Sequence, residues 1–340
     1  MDPPPPQAPV TIADVAKRAG VGVGTVSRVL NESPQVRPST RERVEAAIVE
    51  LDFRPSPAAR SLSLGRTHSV GVVVPLVTSP SAMQRLGGFI SVMTTSTYDV
   101  VLFDVEQPSR GDEHLRRLSH GGGADGVLLV SLRPSDEQVE RFVASRTPVV
   151  LLDGAHPRLA HVTIDDVEGG RLAARHLLDL GHRRIAYVGD APTGFGWESH
   201  RRTGYEQALR AAGVEPEPGL AREGVHARAV AQAQTAELLA LPDPPTAVFA
   251  ASDTQALGVL DAARQAGVPV PGGLSVIGFD DVEVAEVAGL TTVRQPLRDS
   301  GVRAAELLLE LVAGRDVGAR HEVLPLEVVV RGTTGPPAAA

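Results

Sequence analysis

Thr11-Ile12-Ala13-Asp14-Val15-Ala16-Lys17-Arg18-Ala19-Gly20-Val21-Gly22-Val23-Gly24-Thr25-Val26-Ser27-Arg28-Val29-Leu30-Asn31 is the stretch around which the chain is organised. Thr11 followed three residues later by Asp14 reads as an N-cap with an acidic partner. Ile12, Val15, Ala16 and Ala19 then return on one helical face. Gly20 stops that helix. A second helix begins after Gly22, with Val23, Val26, Val29 and Leu30 expected inside and Thr25, Ser27, Arg28 and Asn31 outside. Two short helices joined by a tight glycine-containing turn predict a helix-turn-helix, whose second helix offers small polar and arginine side chains to phosphates and base edges.

Working outward, Pro38 stands where a first helical residue would, and Val44, Ala47, Ile48 and Leu51 mark the apolar stripe of a third helix. That helix closes a core that two short ones cannot close alone. Pro55-Ser56-Pro57 follows, with Ser56 able to cap and Pro57 to start a brief helix, Ala58 to Leu64, ended by Gly65. So short a helix is marginal in water by itself. Residues 1–9 are a Pro/Ala tail expected to be disordered.

The 340 residues are too many for one core and suggest about two or three domains. Cysteine is absent, which removes disulfides and thiolate metal sites, and no 18-residue apolar run or signal-peptide core is present. A soluble, cytoplasmic protein without membrane association is the expectation. The net charge of −8 argues against nucleic acid until its distribution is read. Residues 1–66 carry nine Lys/Arg against seven Asp/Glu, a net of +2, so the remainder carries −10. A mildly basic head on an acidic body suits a small DNA-reading module.

From Ser69 onward, strands alternate with helices. Apolar runs at Val70 to Val74, Val100 to Phe103, Gly126 to Val130 and Pro148 to Leu152 are separated by helical patterns, one of them around Met83 to Met93. The series restarts with helix 167–180, strand Ile185 to Val188, helix 200–212, strand Thr246 to Ala250, helix 254–266 and strand Leu274 to Phe279. Continuous apolar strands between helices imply parallel βαβ units, hence two doubly wound parallel sheets, and ligands of such sheets lie beyond the carboxyl ends of the strands.

The runs TIADVAKRAGVGVGTVSRVLN and RPSTRERVEAAIVELDFRPSPAARSL resemble the DNA-binding headpiece of the lactose-repressor (LacI/GalR) family of transcription regulators. The body is similar to that family's periplasmic-sugar-binding-protein type through GADGVLL, TIDDVEGGRLAARHLLDLGHRRIAYVGD, RRTGYEQALRAAG, TAVFAASDTQALGVLDAARQAGVPVPGGLSVIGFDD and LTTVRQP. The resemblance, over roughly residues 10 to 332, implies an N-terminal all-α helix-turn-helix domain, residues 10–54, a hinge over 55–66, and an α/β bilobed effector-binding and dimerisation domain over 67–335. It implies three crossings between lobes, near 165, 293 and 325, so that the first lobe takes about 67–165 and 294–324 and the second about 166–293 and 325–335.

It further implies a homodimer on a near-palindromic operator in double-stranded DNA, usually as a repressor, controlled by a small-molecule effector, expected to be a carbohydrate. Thr11, Val23, Gly24, Thr25, Ser27, Arg28 and Asn31 are the expected DNA contacts. In the hinge, Leu62 matches the leucine that wedges into the minor groove, with Ala59 one turn earlier. The effector candidates are Ser79, Asp153, Phe195, Trp197, Arg201, Ser252, Asp253 and Asp280. Of these, Arg201 and Asp280 match positions that bind effector throughout the family. Asp, Arg and aromatic side chains suit hydroxyl pairs and a sugar face. Asp165, Asp166 and Asp281 are read as structural.

Departures from the pattern matter. Gly22 replaces the usual serine cap, and Val23 and Gly24 offer no hydrogen bonds, so base reading falls on Arg28, with Val23 touching a thymine methyl. The usual Asn-Pro-Phe-Phe loop reads Ser79-Pro80-Ser81-Ala82. Catalysis is not expected, because Ser199, His200 and Asp190 form no nucleophile elbow. Gly20 to Gly24 follows a helix and lacks the dinucleotide-loop spacing, the ten histidines show no paired metal-ligand spacing, and no cofactor is implied. The competing reading is a sugar-binding protein without DNA function, which the headpiece opposes.

Overall fold

Among the described residues, three helices build the N-terminal unit, which ends at His68. They are α1 (Ile12–Ala19), α2 (Val23–Leu30) and α3 (Pro38–Glu50). The computed structural model describes residues 10–338 apart from 32, 54–65, 76, 106–107, 121–122 and 192–199. The hinge readings, Ala59 and Leu62 among them, and the tail at 1–9 fall outside these residues.

Thr11 closes a capping box on α1. Its side chain accepts from the Asp14 amide, and its hydroxyl, at 2.7 Å, and its own amide, at 2.9 Å, donate to the Asp14 carboxylate, which holds that carboxyl below its usual range. Gly20 ends α1 in the left-handed region, φ 65°, and turns the chain sharply into α2. Val15, Ala16 and Ala19 from α1, Val26 and Val29 from α2, and Val44, Ala47 and Phe53 form one small core. The pattern places Val23 and Leu30 inside as well. In the structure Val23 is 46% exposed and Leu30 half-buried, because α2 is a two-turn helix with room for only Val26 and Val29 on its inner face. In so small a core each stabilising device counts. Thr11→Ala is expected to cost about 1 kcal/mol through the lost cap, read as an earlier urea midpoint for this unit with the body's transition unmoved.

The second unit, from Ser69, holds two sheets, each six-stranded among the described residues. In the first lobe the chain runs β1 (Ser69–Pro75), α4 (Pro80–Met93), β2 (Asp99–Val105), α5 (Pro108–Leu118), β3 (Gly126–Val130), α6 (Asp136–Ser145), β4 (Val149–Leu152) and β5 (Ala160–Ile164). In the second it runs α7 (Asp166–Asp179), β6 (Ile185–Asp190), α8 (His200–Ala211), β7 (Ala221–Gly224), α9 (Arg228–Leu239), β8 (Ala247–Ala250), α10 (Asp253–Gln265), β9 (Ser275–Asp280), α11 (Glu283–Val287) and β10 (Thr291–Arg294). The chain then returns as α12 (Leu297–Val312) and β11 (His321–Leu324) to the first lobe, and ends as β12 (Glu327–Val329) in the second.

Strand order is β11-β5-β4-β3-β1-β2 in one sheet and β12-β10-β9-β8-β6-β7 in the other. Among the described residues every strand pairing is parallel except that of β12 with β10, which is antiparallel. The departure from two wholly parallel sheets follows from the short β11-to-β12 link, since only a crossover connection would let β12 pair in parallel. Period-two alternation buries both faces of each sheet. Val70, Val72 and Val74 face α4 and α12, whereas Val73 and the neighbouring Val127 and Leu129 face Leu118 of α5 and Phe142 of α6. In the second lobe α7 and α8 cover one face, and α9 and α10 the other. Three links join the lobes, after Ile164, after Arg294 and after Leu324.

Candidate functional site

On α2, burial of Val26 and Val29 turns the remaining face outward. Val23, Gly24, Arg28 and Asn31 are exposed, Thr25 and Ser27 half-buried. These six, at helical spacing, form a strip narrow enough to enter a major groove, with Arg28 able to take a guanine edge by two hydrogen bonds. Thr11 is also exposed, but its hydroxyl donates to Asp14 at 2.7 Å and serves the cap.

A second constellation lies where the carboxyl ends of the strands of the two lobes converge. Asp153 follows β4, Asp280 ends β9 and Asp190 ends β6. Positive φ at Ser131 (49°), Asp153 (59°) and Asp280 (114°) marks backbone held in a costly conformation, a frequent feature of binding sites. Asp153 takes a hydrogen bond from Ser131 Oγ at 2.6 Å and an ion pair from Arg85 at 2.9 Å. The same Arg85, buried on α4, donates to Gln295 Oε1 at 2.8 Å, and Gln295 Nε2 donates to Asp280 at 2.6 Å. Arg201 on α8 donates through Nε to Asp166 at 2.8 Å and through Nη1 to the Ala251 carbonyl at 2.5 Å. It lies 3.7 Å from Asp280, and its guanidinium stacks on the Phe279 ring. One mesh of charge-assisted bonds therefore runs from the first lobe, through the Gln295 link, into the second.

Burial pushes the carboxyls of Asp166 and Asp280 above their ordinary range, against the pull of Arg201 on both. Asp190 accepts from Gln255 Nε2 at 2.8 Å and from His226 Nδ1 at 3.0 Å. Burial would depress His226, but the bond and charge of Asp190 outweigh it and the imidazole is raised. At the rim, Arg133 of the first lobe meets His200 Nδ1 of the second at 3.2 Å. Among the described residues no three His, Asp or Glu side chains converge as metal ligands do.

Residues 11–56 match the model of bacterial regulatory proteins of the lacI family, and residues 174–334 that of the periplasmic binding protein-like domain. Catabolite control protein A of Priestia megaterium is 32% identical over 329 residues, covering 96% of this chain and 99% of its own. Regulator CelR of Thermobifida fusca is 36% identical over 336 residues, covering 94% and 97%. The chain belongs to the LacI family.

Solved members of the family superpose on this LacI-family regulator over most of its length. The lac repressor dimer bound to operator and the anti-inducer ONPF gives a TM-score of 0.83 at 29% identity, with 96% and 100% of the chains covered. The CelR–cellobiose complex gives 0.70 at 33%, covering 95% and 99%. This chain is accordingly a DNA-binding transcription regulator with a periplasmic-binding-protein-like body. No helix among its described residues is long and apolar enough to cross a membrane.

Within the regulator, Asp153, Arg201 and Asp280 meet in the mesh, whereas Phe195 and Trp197 lie outside the described residues. Ser79 is half-buried and caps α4 by accepting from the Ala82 amide. Two further candidates are buried in this structure. Asp253 is fully buried, its oxygens accepting from the Val282 amide at 2.9 Å and Thr292 Oγ1 at 2.6 Å, so it anchors the turn into α11. Ser252 is 2% exposed, and its hydroxyl caps α10 and donates to Gln255 Oε1. Asp166 and Asp281 also differ from each other. Asp281 binds Arg294 and Arg331, a structural role, while Asp166 stands in the mesh as the partner of Arg201.

Sequence reasoning missed Arg85, Asp190, His226, Gln255 and Gln295. Only the strand-end position of Asp190 offered a signal. It also missed how the two arginines are seated. A Cβ at Gly301 of α12 would collide with the carbonyl oxygen of Arg85, and one at Gly170 of α7 with that of Arg201. In each lobe a glycine thus lets a second helix press on the backbone that carries a site arginine.

Proposed function

We propose that this regulator is a homodimeric repressor that binds a near-palindromic operator through its headpieces and releases or tightens it according to a carbohydrate effector held between the lobes. The observation that carries the reading is the mesh from Asp153 through Arg85, Gln295 and Asp280 to Arg201. A ligand that replaces those bonds alters the tie between the lobes. The likeness to the lac repressor bound to operator and to the CelR–cellobiose complex supports both partners.

Dimerisation is supported by an apolar surface on the first lobe. Met83 and Ile90 on α4 and Val101 and Leu102 on β2, an edge strand, are all exposed. A bare edge beside exposed apolar side chains is a surface that a second copy covers. Twofold symmetry then sets half-sites about one helical turn apart. On this reading the first lobe comprises about 67–165 and 294–324, the second about 166–293 and 325–335, and residues 55–66, with Ala59 and Leu62, form the hinge that passes lobe movement to the headpieces. Coupling of this kind is worth about 1–3 kcal/mol in both directions. The protein works in the cytoplasm, where its DNA is, and has no catalytic role.

A gel-shift with the gene's own upstream region, repeated with a sugar panel, tests the reading. A preferred fragment whose affinity changes with one sugar is expected, and equal binding to random duplex under all conditions would sink it. Arg28→Ala is expected to weaken operator binding by roughly 10- to 100-fold and to relax specificity at one base pair. Weakening that is uniform across operator variants would mean that Arg28 touches only phosphate.

A further inference from the structure

We infer that the interlobe cleft takes an uncharged polyhydroxylated effector and excludes the phosphorylated form of the same molecule; this rests on the cleft being the effector site. Four carboxylates belong to the mesh or border it, those of Asp153, Asp166, Asp190 and Asp280. Against them, among the described residues, are the guanidiniums of Arg85 and Arg201 and the imidazole of His226. Each cation is already engaged: Arg85 by Asp153 at 2.9 Å, Arg201 by Asp166 at 2.8 Å, and His226 by Asp190 at 3.0 Å. With all four carboxyls ionised, the set retains an excess of negative charge even when His226 is charged. Arg133, exposed at the rim, is directed to His200.

Phosphate recognition needs uncommitted arginine forks or a vacant helix N-terminus. Here one face of Arg201 lies on Phe279 at 3.7 Å, and its Nη1 also serves the Ala251 carbonyl. The N-termini of α7 and α10 carry their own carboxylates. Asp165 accepts from the Glu168 amide at the start of α7, and Asp253 accepts from the Val282 amide and Thr292 while opening α10.

Hydrogen-bond chemistry points the same way. An ionised carboxylate has about four acceptor positions, more than the protein donors on Asp153, Asp190 or Asp280 fill. The cleft is rich in acceptors and short of donors. Sugar hydroxyls supply donors, whereas a phosphate ester near neutral pH supplies acceptors and charge.

Calorimetric titration of the full chain with glucose, cellobiose, glucose 6-phosphate and inorganic phosphate tests the inference. An uncharged sugar is expected to bind, with its phosphorylated form at least about 30-fold weaker from charge repulsion alone. Asp190→Asn removes one of the carboxylates and should narrow that ratio. Tighter binding of glucose 6-phosphate or inorganic phosphate than of the sugars, or a ratio unmoved by Asp190→Asn, overturns the inference and leaves the effector site standing. No heat from any probe would instead sink the reading of the cleft as a sugar site.

Discussion

Arg201→Ala is expected to lower effector affinity at least about 100-fold, since charged hydrogen bonds are worth roughly 1.5–3 kcal/mol each, while the headpieces continue to hold operator. Arg201 joins Asp166, just past the first link between lobes, to the Ala251 carbonyl and to Asp280 near the second. Removing it leaves two buried carboxylates without their principal cation and costs roughly 3 kcal/mol of stability. Burial already holds both carboxyls above 3.8, and losing Arg201 raises them further. A group whose folded pKa exceeds its unfolded value adds stability below the unfolded value and loses it as pH rises through the folded one. The variant's melting deficit should therefore be small near about pH 4 and grow toward about pH 7. A deficit that does not change with pH would contradict the dependence of the two buried carboxyls on Arg201, and a preserved effector response would place the ligand elsewhere.

Gly204→Val carries the second large effect. Helices α7 and α8 cross so closely that a Cβ at Gly204 would collide with the Val167 carbonyl oxygen and fall 2.8 Å from the Arg171 amide nitrogen. Neither atom can swing aside, because both are helical backbone. The helices must separate, and they carry Asp166 and Arg201. Overpacking of this kind against backbone costs about 3 kcal/mol or more, and effector binding should fail with it. Gly213→Ala is the contrast. Its φ of 73° lies in open space, so only the left-handed conformation is penalised, at about 1–2 kcal/mol. Urea unfolding distinguishes them, and a Gly204→Val chain within about 1 kcal/mol of the parent would contradict the close packing.

The headpiece was legible because its signals are local. The Thr11–Asp14 box, the apolar spacing to Ala19 and the stop at Gly20 all act within a few residues, and the structure shows the cap, helix and turn they describe. Val23 was misplaced for the same reason: spacing says which face a residue occupies, not how far a two-turn helix is covered by its neighbours. The strands were equally plain, since runs such as Val70 to Val74 bury both faces of a sheet.

Strand-end position proposed Asp153, Asp253 and Asp280 alike, yet Asp253 turns inward to Val282 and Thr292 while the other two join the mesh. Arg85 sat unnoticed in an amphipathic helix, 210 residues from its Gln295 partner. By itself, then, the sequence determined a helix-turn-helix head, alternating strands and helices, and the family to which they belong, because caps, periodicity and turns are settled over a few residues. Only the tertiary structure decided which carboxylates meet which arginines. Those pairings depend on how two sheets threaded by one chain bring their strand ends together, and on glycines that let helix backbones touch.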